Sequence, residues 1–382
     1  MSSPTLTVAP RRSPISRRRA SASVSRSSTR PPGNSQRCGR TALARRWVMR
    51  YRPSRSTTAA TTRMVLRGWS DTAPGVYTIS RPPFSRAGPS NAMRILYLGV
   101  PLGARVLHDA GHPPVAAGFA PLDLPGRRWA RRALRGALLL GSPRLGDRAV
   151  QHALASTRPD VVLSFFWPRR IPEPVLALAP AYGTHPSLLP RWRGPDPYYW
   201  AIREGDVETG VTLHRLEARY DTGPVVAQRR LPVGAEDTAW SLARKLDRPA
   251  LALLVELVDR LAGRDVPSVT PQNHGCATEA PFPTPEQLAL DWTRPAEVIA
   301  RHVRAAAPEP GATALLGETE VEILAVAPTD ARPPPGLRPA EAWRSEAGWA
   351  VRCGRGAVRL LALRRADDGE PVTPDALFAD RA

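Results

Sequence analysis

The stretch MRILYLGVPLGARVLHDAGHPPVAAGF, residues 93–119, decides the fold class of this chain. An apolar run at 95–98 leads into a glycine-bearing turn, a short segment of helical periodicity and a second apolar run at 115–119. That succession predicts a β-α-β unit opening a parallel sheet. Working outward, PDVVLSFF (159–166) reads as a further buried strand, preceded by a helical pattern through 147–157. GVTLHRL (210–216) and GPVVAQRRLPV (223–233) are strand-like, and 238–263 predicts a long helix with Pro249 as a kink or break. Strands alternating with helices are α/β organisation. Residues 294–306 then place Val298, Ile299, His302 and Val303 at helical spacing, and strand-like pieces at 318–327, 348–353 and 356–363 predict a small β-rich second domain.

Charge is distributed very unevenly. The 382 residues carry a formal +20, which on its own suggests a nucleic-acid or membrane-surface binder. Residues 1–92, however, hold 18 Arg, no Lys and one acid, Asp71, for a net +17, whereas 93–282 is +6 and 283–382, with 12 Arg and 15 acids, is −3. The Arg/Ser/Thr/Pro-rich segment 1–92 has little apolar surface and is expected to be disordered. A transit peptide or a basic nucleic-acid arm is one reading of it; translation from a start upstream of the true one, with Met93 opening the first strand, is the favoured one. Cys38, Cys276 and Cys353 lie far apart with no CxxC pair, which argues against a disulfide scaffold or a zinc site. No run of 18 apolar residues occurs, so a soluble, cytoplasmic protein without a membrane or obligate protein partner is expected.

Gly99-Val100-Pro101-Leu102-Gly103 stands where a dinucleotide fold would put its phosphate loop, but it is not GxGxxG, and Pro101 removes a backbone donor. The expectation is therefore no NAD, with a ligand still at the carboxyl ends of the parallel strands. Chemistry-bearing residues concentrate in GTHPSLLPRWRGPDPYYWAIREGDVETGVTLHRLEARYDTGPVVAQ, residues 183–228. It holds His185 at a strand end, a Pro-bounded apolar loop Ser187-Leu188-Leu189-Pro190, and Asp221 in a tight Asp-Thr-Gly turn. By residue type alone, His185 fits a structural histidine as well as a catalyst, and Asp221 a turn former as well as an acid.

The string His-Pro-Ser-Leu-Leu-Pro-Arg-Trp-Arg-Gly (185–194), followed by Gly-Asp-x-Glu-Thr-Gly-Val-Thr (205–212) and Asp-Thr-Gly (221–223), resembles the core of the folate-dependent formyltransferases, most closely the methionyl-tRNA and nucleotide-amino-sugar branches. The likeness runs from Met93 to about Gly311. It implies a Rossmann-like parallel-sheet formyltransferase domain, 93–264, a linker, 265–285, and a small OB-like barrel, 286–382. It also implies transfer of a formyl group from N10-formyltetrahydrofolate to an amine, without a metal. The family's catalytic His and Asp map onto His185 and Asp221: amine attack on the formyl carbon creates an oxyanion that an imidazole can stabilise, while a carboxylate orients the ring and takes protons. Ser187, Leu188, Leu189 and Pro190 would line the folate pocket. One departure stands out. The family pattern is Asn-x-His, and the position two before His185 is Gly183. Losing one oxyanion donor slows such reactions on the order of 100–1,000-fold, so the expectation is a slow or inactive enzyme unless another donor fills in.

Two features bear on the acceptor. Arg127, Arg128, Arg131, Arg132 and Arg135 form a basic amphipathic stretch about where the methionyl-tRNA branch grips its acceptor stem; a solvated helix face is the plain alternative. The net −3 of residues 283–382 points instead toward a nucleotide-activated amino sugar. A non-catalytic folate- or RNA-binding relative is the third possibility, motivated by Gly183.

Overall fold

The computed structural model describes residues 93–120 and 126–378, together with two strand fragments, Met64–Val65 and Val76–Tyr77, paired antiparallel. The expectation of disorder across 1–92 otherwise lies outside the described residues. The first half builds β1 (Ile95–Gly99), α1 (Pro101–Asp109), β2 (Ala116–Phe119), α2 (Arg127–Ala133), β3 (Leu138–Gly141), α3 (Arg148–Ser156), β4 (Val161–Phe165), α4 (Glu173–Leu176), β5 (Ala181–His185), α5 (Pro197–Glu204), β6 (Glu208–Arg215), β7 (Val225–Pro232) and α6 (Ala239–Ala262). These seven strands form one sheet in the order β3-β2-β1-β4-β5-β6-β7. The first five are mutually parallel, and β6 runs antiparallel to both β5 and β7.

Every residue of β1 and β4 is buried, because helices cover both faces of the sheet. Pleating sends alternate side chains to opposite sides: Ile95 and Tyr97 join a core with Leu107 of α1 and Leu246 and Leu253 of α6, while Leu96 and Leu98 join another with Leu154 of α3 and Val175 of α4. The α6 helix starts on a capping box between Thr238 and Ser241 and runs through Pro249 without interruption. In the β1–α1 turn the Tyr97 hydroxyl donates to Val100 O at 2.6 Å. A Cβ at Gly103 would lie 2.3 Å from that hydroxyl, so a tyrosine fills the place where a phosphate loop would need open backbone donors.

Beyond a short α7 (Pro285–Leu288), α8 (Ala296–Ala306) leads into β8 (Ala312–Leu316), β9 (Thr319–Thr329), β10 (Ala342–Ser345), β11 (Gly348–Arg352), β12 (Ala357–Arg365), β13 (Pro371–Val372) and α9 (Pro374–Leu377). This second sheet is antiparallel, ordered β8-β9-β12-β11-β10 with β13 on β12. Ile299 and Val303 of α8 share one core with Tyr199 and Ile202 of α5 and with Val321 and Ile323 of β9, so the helix ties the two sheets together. Residues 265–285, expected as a linker, bridge onto the first sheet's unit at Val225–Thr270 and Arg193–Glu279. Among the described residues no helix is long and apolar enough to cross a membrane.

Candidate active site

His185 is the last residue of β5, so its side chain stands at the carboxyl edge of the parallel strands, where α/β sheets present ligands. It is buried, and its Nε2 lies 2.7 Å from Trp192 O. A carbonyl only accepts, so Nε2 carries the hydrogen of that bond and Nδ1 faces the other way. Nδ1 lies 3.5 Å from Oδ2 of Asp221. The two residues, 36 positions apart, thus meet across the β5–β6 pair.

Asp221 sits in the left-handed region, φ 54°, which Asp tolerates better than most residues. Its turn is tight because Gly223 approaches Arg215 O so closely that a Cβ there would be 2.0 Å from that oxygen. Three groups fix the carboxylate's place. The Gly194 backbone N–H donates to Oδ2 at 3.0 Å. Gln272 donates through Nε2 to Asp221 O at 2.8 Å and Gly223 O at 2.7 Å. Buried Arg193 in turn donates to Gln272 Oε1, at 2.6 Å from Nη2, and to His274 Nδ1 at 3.0 Å. The segment read as a linker therefore holds the acid's turn.

The Ser187–Pro190 loop is locked from below. Thr212, fully buried on β6 opposite His185, donates to Ser187 O at 2.6 Å and accepts from Leu189 N at 3.0 Å, while Gln228 donates to Leu189 O at 2.9 Å. Ser187 Oγ donates to Arg191 O at 2.6 Å. Ser187 and Leu189 are buried and shape the loop; Leu188 and Pro190 keep exposed surface. At Gly183 a Cβ would lie 2.8 Å from Leu216 Cδ2, so a leucine methyl occupies the space a side chain there would need.

His214 also reaches the carboxylate: its Nε2 is 3.7 Å from Asp221 Oδ1, and its Nδ1–H donates to Arg215 O at 2.8 Å. Burial pushes its pKa down from 6.5 to about 4, against the opposing pull of Asp221, so it is neutral near pH 7. An open cleft at the ends of β3 and β4 is lined by Arg144, Trp167, Arg169, Arg170 and Glu173 among others. Arg169 stacks on Trp167 with its guanidinium carbon 5.1 Å from the ring centroid. Its Nε and Nη2, the two-donor edge that grips a carboxylate or phosphate, are buried without an acceptor among the described residues, as is the Trp167 indole N–H.

Of the basic stretch, Arg127, Arg128, Arg131 and Arg132 lie on α2 and Arg135 in the turn after it. Arg127 turns inward and donates to Ala120 O at 2.9 Å, while the other four are exposed. Reading the sequence alone misses His214, Gln272 and the Arg169 cleft. Period-two alternation in GVTLHRL does set Thr212 and His214 on one strand face; nothing local ties Gln272 to an acid 51 residues away.

Residues 125–258 match the Formyl transferase family and residues 283–380 the Formyl transferase C-terminal domain. The chain belongs to the formyltransferase family. It is 36% identical over 298 residues to the methionyl-tRNA formyltransferase of Paracoccus denitrificans, covering 74% of this chain and 96% of that enzyme. With the methionyl-tRNA formyltransferase of Halorhodospira halophila it shares 37% over 307 residues, 76% of this chain and 97% of that one. Among solved structures, the N-formyltransferase of Helicobacter canadensis, in complex with folinic acid and dTDP-3-aminofucose, superposes with a TM-score of 0.54 at 15% identity, covering 70% of this chain and 97% of that one. HypX of Aquifex aeolicus in complex with tetrahydrofolic acid superposes with a TM-score of 0.55 at 21% identity, over 76% of this chain and 47% of that one. Those two likenesses concern the fold of this formyltransferase.

Proposed function

We propose that this formyltransferase moves the formyl group of N10-formyltetrahydrofolate to the amino group of methionyl-tRNA, with His185 and Asp221 as its catalytic residues. The meeting of a buried imidazole and a carboxylate at the carboxyl edge of the sheet carries the reading. The amine nitrogen bonds to the formyl carbon, the carbon–N10 bond breaks, and one proton passes from the amine to N10. His185, its Nε2–H exchanged from Trp192 O to the substrate, would stabilise the oxyanion formed on the way, and Asp221, held by Gly194 and Gln272, would orient the ring and relay the proton. Leu188 and Pro190 would face the folate. The cleft lined by Arg144, Trp167, Arg169 and Arg170 would suit its aromatic, carboxylated tail, with Trp167 stacking and the Arg169 N–H groups donating to a carboxylate. On this reading residues 93–264 form the catalytic domain.

A nucleotide-activated amino sugar is the second reading, favoured by the net −3 of residues 283–382. An acceptor screen with N10-formyltetrahydrofolate decides between them. Formyl-methionyl-tRNA as product, with turnover reduced at least about 100-fold by His185→Ala and by Asp221→Asn, is the expected result. Turnover of a nucleotide sugar alone would transfer the assignment to the second reading; intact turnover in both variants would remove these residues from the chemistry.

A further inference from the structure

His214 and Gly183 are partners in the β5–β6 pair, and His214 lies one strand from His185 with Asp221 between the two rings. Each imidazole has one N–H engaged by a main-chain carbonyl, His185 Nε2 on Trp192 O and His214 Nδ1 on Arg215 O. The nitrogens turned toward Asp221 are therefore both lone pairs when the rings are neutral, and two lone pairs flanking a carboxylate repel it. One proton on Asp221 turns one of the two contacts into a hydrogen bond and removes the carboxylate charge that repels the other lone pair.

We propose that His214 is a positioning residue for the transfer: its Nε2 serves as acceptor for a proton on Asp221, so that the His185–Asp221 pair holds one proton when the amine arrives. The inference rests on the reading of His185 and Asp221 as the reacting pair. The groups that set the balance are Asp221 in the β6–β7 turn, His185 on β5 and Arg193 in the loop after it, with the Arg215 carbonyl on the outer nitrogen. His214 is 2% exposed, and burial keeps it neutral and thus able to accept. The present separations of 3.5 and 3.7 Å are of the kind that tighten once substrate is bound. When the tetrahedral carbon has formed, the amine's proton passes into the trio and the trio's proton passes to N10 as the carbon–N10 bond breaks, leaving the trio as it began.

The test is a pH titration of ¹⁵N-histidine-labelled full-length chain followed by NMR, for wild type, His214→Met and His214→Gln, beside the pH profile of kcat. In wild type His214 is expected neutral with its hydrogen on Nδ1. In H214M, which cannot accept, the apparent midpoint of the His185–Asp221 pair should fall by about one pH unit, the loss of one hydrogen bond to a charged group. H214Q, whose amide oxygen can accept, should restore most of it, and the kcat profile should move in parallel with KM for the folate unchanged. A hydrogen on Nε2 of His214 in wild type overturns the proposal without any variant. So does an H214M midpoint equal to wild type with kcat and KM falling together, the mark of a structural role. Absence of any formylation by wild type would instead sink the proposed function, and the titration would still judge His214.

Discussion

Gly183 leaves the position two before His185 without a side chain. With no side chain there, Leu216 fills the adjoining space, so Gly183→Asn must displace that leucine. The single variant is expected to lose about 1–3 kcal/mol of stability by overpacking, measured by denaturant unfolding. Combined with Leu216→Ala, the amide gains room, and kcat should rise on the order of 100-fold if an oxyanion donor is what the site lacks. An unchanged kcat would show that another group already donates. Arg169 makes a second prediction at this scale. Its two buried, acceptor-free N–H groups have a reason to stay so arranged if a carboxylate arrives with the substrate. Arg169→Ala should raise KM for formyl-folate about tenfold with kcat nearly unchanged, a uniform-binding loss seen in steady-state kinetics. A lowered kcat at constant KM would put Arg169 in the chemistry instead.

Among the elements, α8 carries the clearest consequence. His302 is 3% exposed between α5 and α8, and its Nε2 lies 3.4 Å from the Tyr199 hydroxyl. Burial lowers its pKa from 6.5 to about 4, with Arg203 adding to the effect. The unfolded chain therefore takes up a proton as pH falls below about 6.5, while the folded chain resists until about 4, so stability drains away through that window. The contribution approaches about 3 kcal/mol at pH 4. His302→Gln should flatten the fall in stability between pH 6.5 and 4, and parallel curves for the two proteins would refute it. The elements themselves were largely legible: the apolar runs of β1 and β4 announce strands covered on both faces, and the spacing of Val298, Ile299, His302 and Val303 announces a helix with one buried face. Of the kink or break read at Pro249, the break does not occur, because the packing of Leu246, Leu253 and Leu257 holds α6 together through the missing hydrogen bond. Residues 265–285 misled toward a linker, because nothing in their composition shows that Gln272 hydrogen-bonds the turn of Asp221.

Over the whole molecule, the proposed methionyl-tRNA acceptor would have to be gripped by a chain whose described part is nearly balanced in charge. Arg128, Arg131, Arg132 and Arg135 are exposed and free of the inward contact that engages Arg127. If they meet phosphates, replacing all four by Ala should weaken methionyl-tRNA binding and shallow its dependence on log salt, by up to about 0.9 per arginine involved. An unaltered slope would leave them as a solvated helix face. The sequence by itself determined the α/β class, the covered strands and the candidacy of His185 and Asp221, because buried periodicity and a ten-residue string are properties of neighbouring residues. Only the tertiary structure decided that His185 and Asp221 face one another, that His214 nears the same carboxylate and Gln272 holds its turn, that Leu216 stands in the space beside Gly183, and that Arg169 carries two buried N–H groups without an acceptor among the described residues. Each of these joins residues on different strands or loops, and the distances between them are fixed by how the sheet is assembled rather than by spacing along the chain.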